Sequence, residues 1–157
     1  MLLMCFTSSM CFIPGLTIYN RKMPAIYSHF TYISTKLNDK DLLIQSLLDV
    51  NPNLIIDDIP ALVVGYNGNE VMADVIIRQE NGMDIGFTFN QDSYEMVSDL
   101  QFWNQSVPPN VFLEKVSQRY SLHNILDSLD EEGFYTDCIQ YNTETSCIEL
   151  QASRYQV

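Results

Sequence analysis

The sequence predicts an α+β fold: a mainly antiparallel sheet with two helices packed on one face. Three observations lead there. Short runs of alternating apolar residues recur between turn signals, as in residues 84–90 (DIGFTFN), where Ile85, Phe87 and Phe89 share a side. Only two stretches carry a helical period. The resulting order is strand, helix, several strands, helix, two strands, with turns too short for parallel crossovers.

Residues 27–37 (YSHFTYISTKL) read as the first strand, with Phe30, Tyr32 and Ser34 on one face and Thr31, Ile33 and Thr35 on the other. Asn38 is the expected N-cap of the first helix, with Asp39 and Asp41 in its first turn. Leu43, Leu47 and Val50 form the buried stripe, and Asn51-Pro52-Asn53 ends the helix. Residues 54–56 and 61–66 read as short strands. Asn67-Gly68-Asn69 is a hairpin turn, and residues 71–78 (VMADVIIR) read as one strand. Asn81-Gly82 turns the chain into strand 84–90, and Gln91-Asp92-Ser93 turns it again into strand 94–100.

The second helix follows the breaker QSVPPN at 105–110. Prolines 108 and 109 belong at its entrance, and Ser106 or Asn110 is the expected cap. Phe112, Val116, Tyr120 and His123 make one stripe, which Leu122, Ile125, Leu126 and Leu129 widen. The helix stops at Gly133, and residues 134–141 and 146–155 form a closing hairpin.

A chain of 157 residues suits one domain, assigned here to residues 23–157. Residues 1–22 form a separate apolar extension. The run 1–19 lacks a basic start and is interrupted by Thr7-Ser8-Ser9 and Pro14-Gly15, which disfavours a membrane anchor. A start placed too early, with Met23 as initiator, explains it more simply.

Twenty acidic residues against eight basic ones give a net charge of −12. Such a surface repels phosphate backbones and anionic headgroups, so nucleic acid is not an expected partner. A basic protein is. Cys5, Cys11, Cys138 and Cys147 show no metal-site spacing. Asp57 and Asp58, with Glu70 and Asp74 close in sequence, match no calcium loop and read as a solvated acidic edge. No cofactor or metal is predicted.

No P-loop, dinucleotide fingerprint, nucleophile elbow or H-E-x-x-H helix is present. His29 and His123 are the natural acid–base candidates, with Asp84, Asp99 and Arg119 able to join them if the second helix lies over the first strand. Ordinary packing competes with that for each histidine. Arg119 is expected to pair with Asp99 or Asp92. Trp103, in the run DLQFWN at 99–104, is either a partner anchor or a plug closing one end of the sheet. Cys138 and Cys147 are a possible redox pair if Asn142-Thr143 forms a two-residue turn; a longer loop sets Cys138 against Glu149.

Two stretches carry a family resemblance. One is SHFTYISTK within residues 27–37. The other is residues 81–126, with DIGF, SYEMVSDLQFW and KVSQRY. Together they resemble the hypothetical chloroplast open reading frame 35 family of algal plastids and cyanobacteria. The looser resemblance covers most of residues 27–155, and the apolar head has no counterpart in it. The resemblance implies a plastid protein made inside the organelle and located in the stroma. It carries over no catalytic residues. Through gene neighbourhood in bacterial relatives it also implies a pathway shared with an AAA-type ATPase.

The function expected from all this is a non-enzymatic binding or assembly factor acting through protein–protein contacts. The alternative is a small-molecule sensor or enzyme whose pocket, between long helix and sheet, is lined by His29, Arg119 and His123. A membrane-tethered accessory protein using residues 1–19 is a third.

Overall fold

A computed structural model describes residues 29–154. Strands β1 (Phe30–Ser34), β2 (Ile55–Asp57), β5 (Val75–Arg78), β6 (Ile85–Asn90) and β7 (Ser93–Asp99) form one antiparallel sheet in the order β1-β7-β6-β5-β2. Helices α1 (Lys40–Val50) and α2 (Pro109–Glu131) cover one face of it. Between them lies the main core. Ile33, Val75, Ile77, Ile85, Phe87, Tyr94 and Met96 come from the sheet. Leu43 and Leu47 come from α1, and Phe112, Leu113, Val116 and Tyr120 from α2. The strand period of two sends these residues to the helices and their neighbours to the opposite face.

That opposite face is covered as well. Strands β3 (Ala61–Val64) and β4 (Glu70–Ala73) pair as a separate two-stranded ribbon. Its inner residues Val63 and Ala73 pack on Ile76, with Phe30 and Ala61 at the margin. Gly86 permits the approach: a Cβ there would lie 2.7 Å from Ala73 Cβ and 2.9 Å from both Val63 Cγ2 and Val97 Cγ1. The ribbon is part of what the sequence predicts as one strand over residues 71–78. The run breaks at Asp74, whose N–H donates to Phe87 O (2.8 Å) and whose Oδ2 accepts from Phe89 N–H (2.7 Å). β4 therefore lies over the sheet while β5 lies within it.

Two caps differ from expectation. Asp39, not Asn38, caps α1: its Oδ1 accepts from Leu42 N–H at 2.9 Å. Asn38 Oδ1 instead accepts from the Tyr120 hydroxyl (2.8 Å), which itself accepts from Asp39 N–H (3.0 Å), tying the start of α1 to α2. Helix α2 has Pro108 at its N-cap position with no side-chain cap from Ser106 or Asn110; Pro109 needs no amide bond there. It ends before Gly133, whose φ of +75° suits glycine. Leu122, Ile125, Leu126 and Leu129 are only half-buried, because this end of α2 runs past the sheet to the hairpin of β8 (Tyr135–Asn142) and β9 (Cys147–Ser153). Gln118 Nε2 donates to Ser146 O (2.8 Å) across that contact.

Candidate functional site

The candidate residues divide between two sides of the sheet. His123 lies on the helix side, where its Nε2 sits 2.7 Å from Asp49 Oδ2 of α1. Arg119, one turn earlier on α2, is half-buried and has no ion-pair partner among the described residues. The expected pairing with Asp99 or Asp92 does not form. Strand parity explains the first: Tyr94 and Met96 of β7 face the helices, so Asp99 faces the ribbon. His29 also lies on the ribbon side, its ring edge-on to Tyr66 at 5.4 Å. The sheet thus separates the two histidines, and a pocket lined by His29, Arg119 and His123 is not assembled.

Asp84 belongs to a polar lock at one end of the sheet. Its Oδ2 accepts from Arg78 Nη1 (2.6 Å) and its Oδ1 from Gln79 N–H (2.8 Å). Arg78 Nε also donates to Asp57 Oδ2 of β2 (2.7 Å). Its bonds to Asp84 and then Asp57 push the guanidinium pKa further up, so it stays charged. Asp57 is thereby occupied by an arginine and Asp74 by a backbone amide, so these two carboxylates do not combine into a cation site.

Gln79 extends the lock to the connector between β7 and α2. Its side-chain oxygen accepts from Asn104 N–H (2.9 Å) and Gln105 Nε2 (3.2 Å), and its amide donates to Met83 O. Asn81 Nδ2 donates to Phe102 O (2.7 Å). The turn at 79–84 and the connector at 100–105 are therefore one hydrogen-bonded unit. Trp103 closes it inward: Nε1 donates to Val107 O (2.7 Å), and its ring meets Phe112 edge-on at 5.6 Å. With its donor spent on Val107 and its ring packed, partly buried, against the main core, Trp103 fits the plug position.

The connector's outward side is an aromatic corner. Phe102, on the short 3₁₀ turn Leu100–Phe102, stacks on Tyr66 at 5.9 Å, and Tyr66 contacts His29. Tyr66 comes from the turn Tyr66–Gly68 joining β3 to β4. Phe30, next to His29, pairs in register with Asp99, so their side chains leave the same face. Asp99 is 3 % exposed. Its Oδ1 accepts from Gln101 N–H (3.2 Å), while Oδ2 is buried with no donor among the described residues. Leaving such an oxygen unbonded costs about 1–3 kcal/mol. Of the candidate residues, then, His29 and Asp99 both lie on the ribbon side, linked through Phe30, which neighbours the one and pairs with the other.

Sequence comparison adds the family. The model described as "Protein of unknown function (DUF1257)" matches residues 53–149, from just before β2 into β9. The chain belongs to this family. It is similar to "Uncharacterized protein ycf35" of Guillardia theta, 42% identical over 108 residues, which are 69% of this chain and 83% of that protein. The protein of the same name from Pyropia yezoensis is 38% identical over 107 residues, 68% of this chain and 82% of its own. That of Cyanophora paradoxa is 30% identical over 129 residues, 82% and 98% of the two chains. No solved structure matches. The ycf35 relatives mark the chain as plastid in origin.

Two parts of the second ycf35-like stretch touch each other here: the NGMD turn and the LQFWNQ connector meet in the lock just described, where Asn81 bonds Phe102. The last pair of candidates does not meet. Asn142 Oδ1 accepts from Glu144 N–H (3.0 Å) and Thr145 N–H (3.1 Å), giving a four-residue turn in place of two. Cys138 is then opposite Gln151 and Cys147 opposite Asn142, and Cys138 is a free thiol. Four strand residues separate the two positions by roughly 13 Å, well beyond the ~7 Å that a disulfide spans between Cα atoms. The cross-hairpin redox pair is corrected accordingly.

No helix among the described residues is long and apolar enough to cross a membrane. The apolar run 1–19 and the proposed boundary at Met23 lie outside them.

Proposed function

We propose that this ycf35 family member is a non-enzymatic binding or assembly factor of the plastid stroma that docks a basic partner protein on its outer ribbon. The supporting observation is the ribbon's exposed face. Leu62 stands opposite Met72 and Val64 opposite Glu70, and all four point away from the sheet. Met72 is 55 % exposed. Soluble monomers seldom present a row of adjacent apolar side chains on a flat β surface without use for it. The chain's charge of −12 favours a basic partner around that apolar row. A single compact unit over residues 23–157 is part of this proposal, as is the ATPase-linked pathway implied by gene neighbourhood.

The test is native affinity purification of the full chain from plastid stroma, beside Leu62→Asp and Met72→Asp. A defined basic protein is expected with the wild type, weakened by salt and lost from both variants while their circular dichroism stays unchanged. Recovery of the same protein with both variants would sink the ribbon as the docking face.

A further inference from the structure

We propose that the corner formed by His29, Tyr66, Phe102 and Asp99 is a cation-binding site that receives an arginine side chain from the partner. This deepens the ribbon proposal and takes from it only the identity of the partner as a basic protein.

The argument starts from the carboxylate. Asp99 is almost wholly buried, and its Oδ2 has no donor among the described residues. The other oxygen is already used to cap the connector turn through Gln101 N–H. A buried carboxylate oxygen is an acceptor only, and a ligand able to complete it must bring an N–H or O–H. A cation satisfies both the hydrogen bond and the charge.

The surrounding residues narrow the ligand. Three rings from three separate segments meet here: His29 before β1, Tyr66 from the ribbon turn, and Phe102 from the connector. Aromatic faces attract cations, and a planar guanidinium stacks on them while donating from its edge. A lysine ammonium offers the charge without the stacking plane, so arginine is the better match. Phe30 opposite Asp99 walls the inner side, its ring closing against Gly65.

Position links the corner to the ribbon. Tyr66 follows β3 after the single residue Gly65, and the outer face of β3 carries Leu62 and Val64. A partner lying along that face reaches Tyr66 without leaving the surface. Tyr66 is itself 44 % exposed and sits on a turn closed by Gly65 N–H to Asn69 O at 2.7 Å, with longer bonds inside it, Gly68 N–H to Gly65 O at 3.3 Å and Asn69 N–H to Tyr66 O at 3.5 Å. The buried oxygen is reached only if a ring of the corner moves aside, and Tyr66 is the one carried on the ribbon's surface turn.

The probe is N-acetyl-arginine methylamide, titrated into the full chain by two-dimensional NMR, with the neutral citrulline analogue as control. Saturable shifts are expected at Asp99, Gln101, Phe102 and Tyr66 with the arginine probe alone. Asp99→Asn keeps an oxygen for the Gln101 cap but removes the charge, and should weaken the probe at least tenfold. Tyr66→Leu, at an exposed position, should weaken it severalfold and guards against misfolding of the first variant. No shift at the corner, equal response to citrulline, or undiminished binding by both variants overturns the site. A crystal structure of the probe-soaked protein with only a water on Oδ2 does the same. Arg21→Gln/Lys22→Gln should bind the probe as the wild type does. A tenfold gain would mean that the chain's own basic pair fills the corner, overturning the partner assignment. Retained partner capture by Met72→Asp would sink the ribbon proposal while leaving the probe result intact.

Discussion

At Gly86 the side chain that is missing matters more than any that is present. Any Cβ there meets Ala73 and Val63 of the ribbon and Val97 of β7 at once, none of them at the end of a flexible chain. Gly86→Ala is therefore expected to destabilise by about 1–3 kcal/mol through overpacking, read as a lower urea midpoint with unchanged slope. Ser98 is the opposite case. Its Oγ is buried on the helix side with no hydrogen-bond partner among the described residues. Ser98→Ala removes an unsatisfied hydroxyl and should leave the midpoint unchanged or raise it, by up to ~1 kcal/mol; a loss larger than that would show a partner for the hydroxyl. Neither residue stands out in the sequence. Gly86 reads as an ordinary strand position, because only the ribbon's approach makes it special. Ser98 reads as one polar residue in an alternating run. Residue types named Asp99, His29 and Trp103 as candidates, but strand parity and ring contacts decided which of them share a surface.

Among the elements, α1 shows how one position can be misjudged for a sound reason. Asn38 and Asp39 are both good caps, and only the tertiary contact with Tyr120 takes Asn38 away from the helix. Asp39→Ala should cost about 1 kcal/mol in stability, whereas an Asn38→Ala loss should be coupled to Tyr120→Phe in a double-mutant cycle. Equal, uncoupled losses from Asn38→Ala would return the cap to that residue. The strands of the central sheet were legible from alternation, and the helices from their stripes. What the pattern concealed was the bend at Asp74. VMADVIIR reads as one run because β4 turns its inner residue Ala73 onto the sheet while β5, covered on both faces, buries Val75, Ile76 and Ile77 in succession. The hairpin register stayed open between a two-residue turn and a longer loop for a similar reason: Asn142 bonds two amides beyond itself, a contact that residue counting does not reveal.

For the molecule as a whole, the acidic surface shapes the response to alkali. Burial, and then the charge of Glu95, raise the Tyr32 phenol above its ordinary value. Burial and the carboxylates of Asp74, Asp39 and Asp41 raise Tyr94 likewise. Both phenols thus keep their protons in the folded chain at a pH where the unfolded chain has begun to lose them. Their contribution is whole below the ordinary phenol pKa of about 10 and is lost as pH rises through the folded values. The urea midpoint should fall steeply above about pH 10, less so in Tyr32→Phe and Tyr94→Phe, with tyrosinate absorbance tracking the change. A midpoint insensitive to pH in that range would contradict it. The layering explains why the overall class could be anticipated while the functional surface could not. Two helices on one antiparallel sheet follow from the order of elements, but a third layer made from the front half of a predicted strand does not. That third layer also has a mechanical meaning. The ribbon is not hinged onto the globule by a slack loop; through Asp74 it continues directly into β5, an interior strand of the main sheet. Force applied to the outer layer is passed along covalent backbone to the interior of the protein, so a docked neighbour cannot slide the ribbon sideways without also loading the strand on which the hydrophobic interior is built.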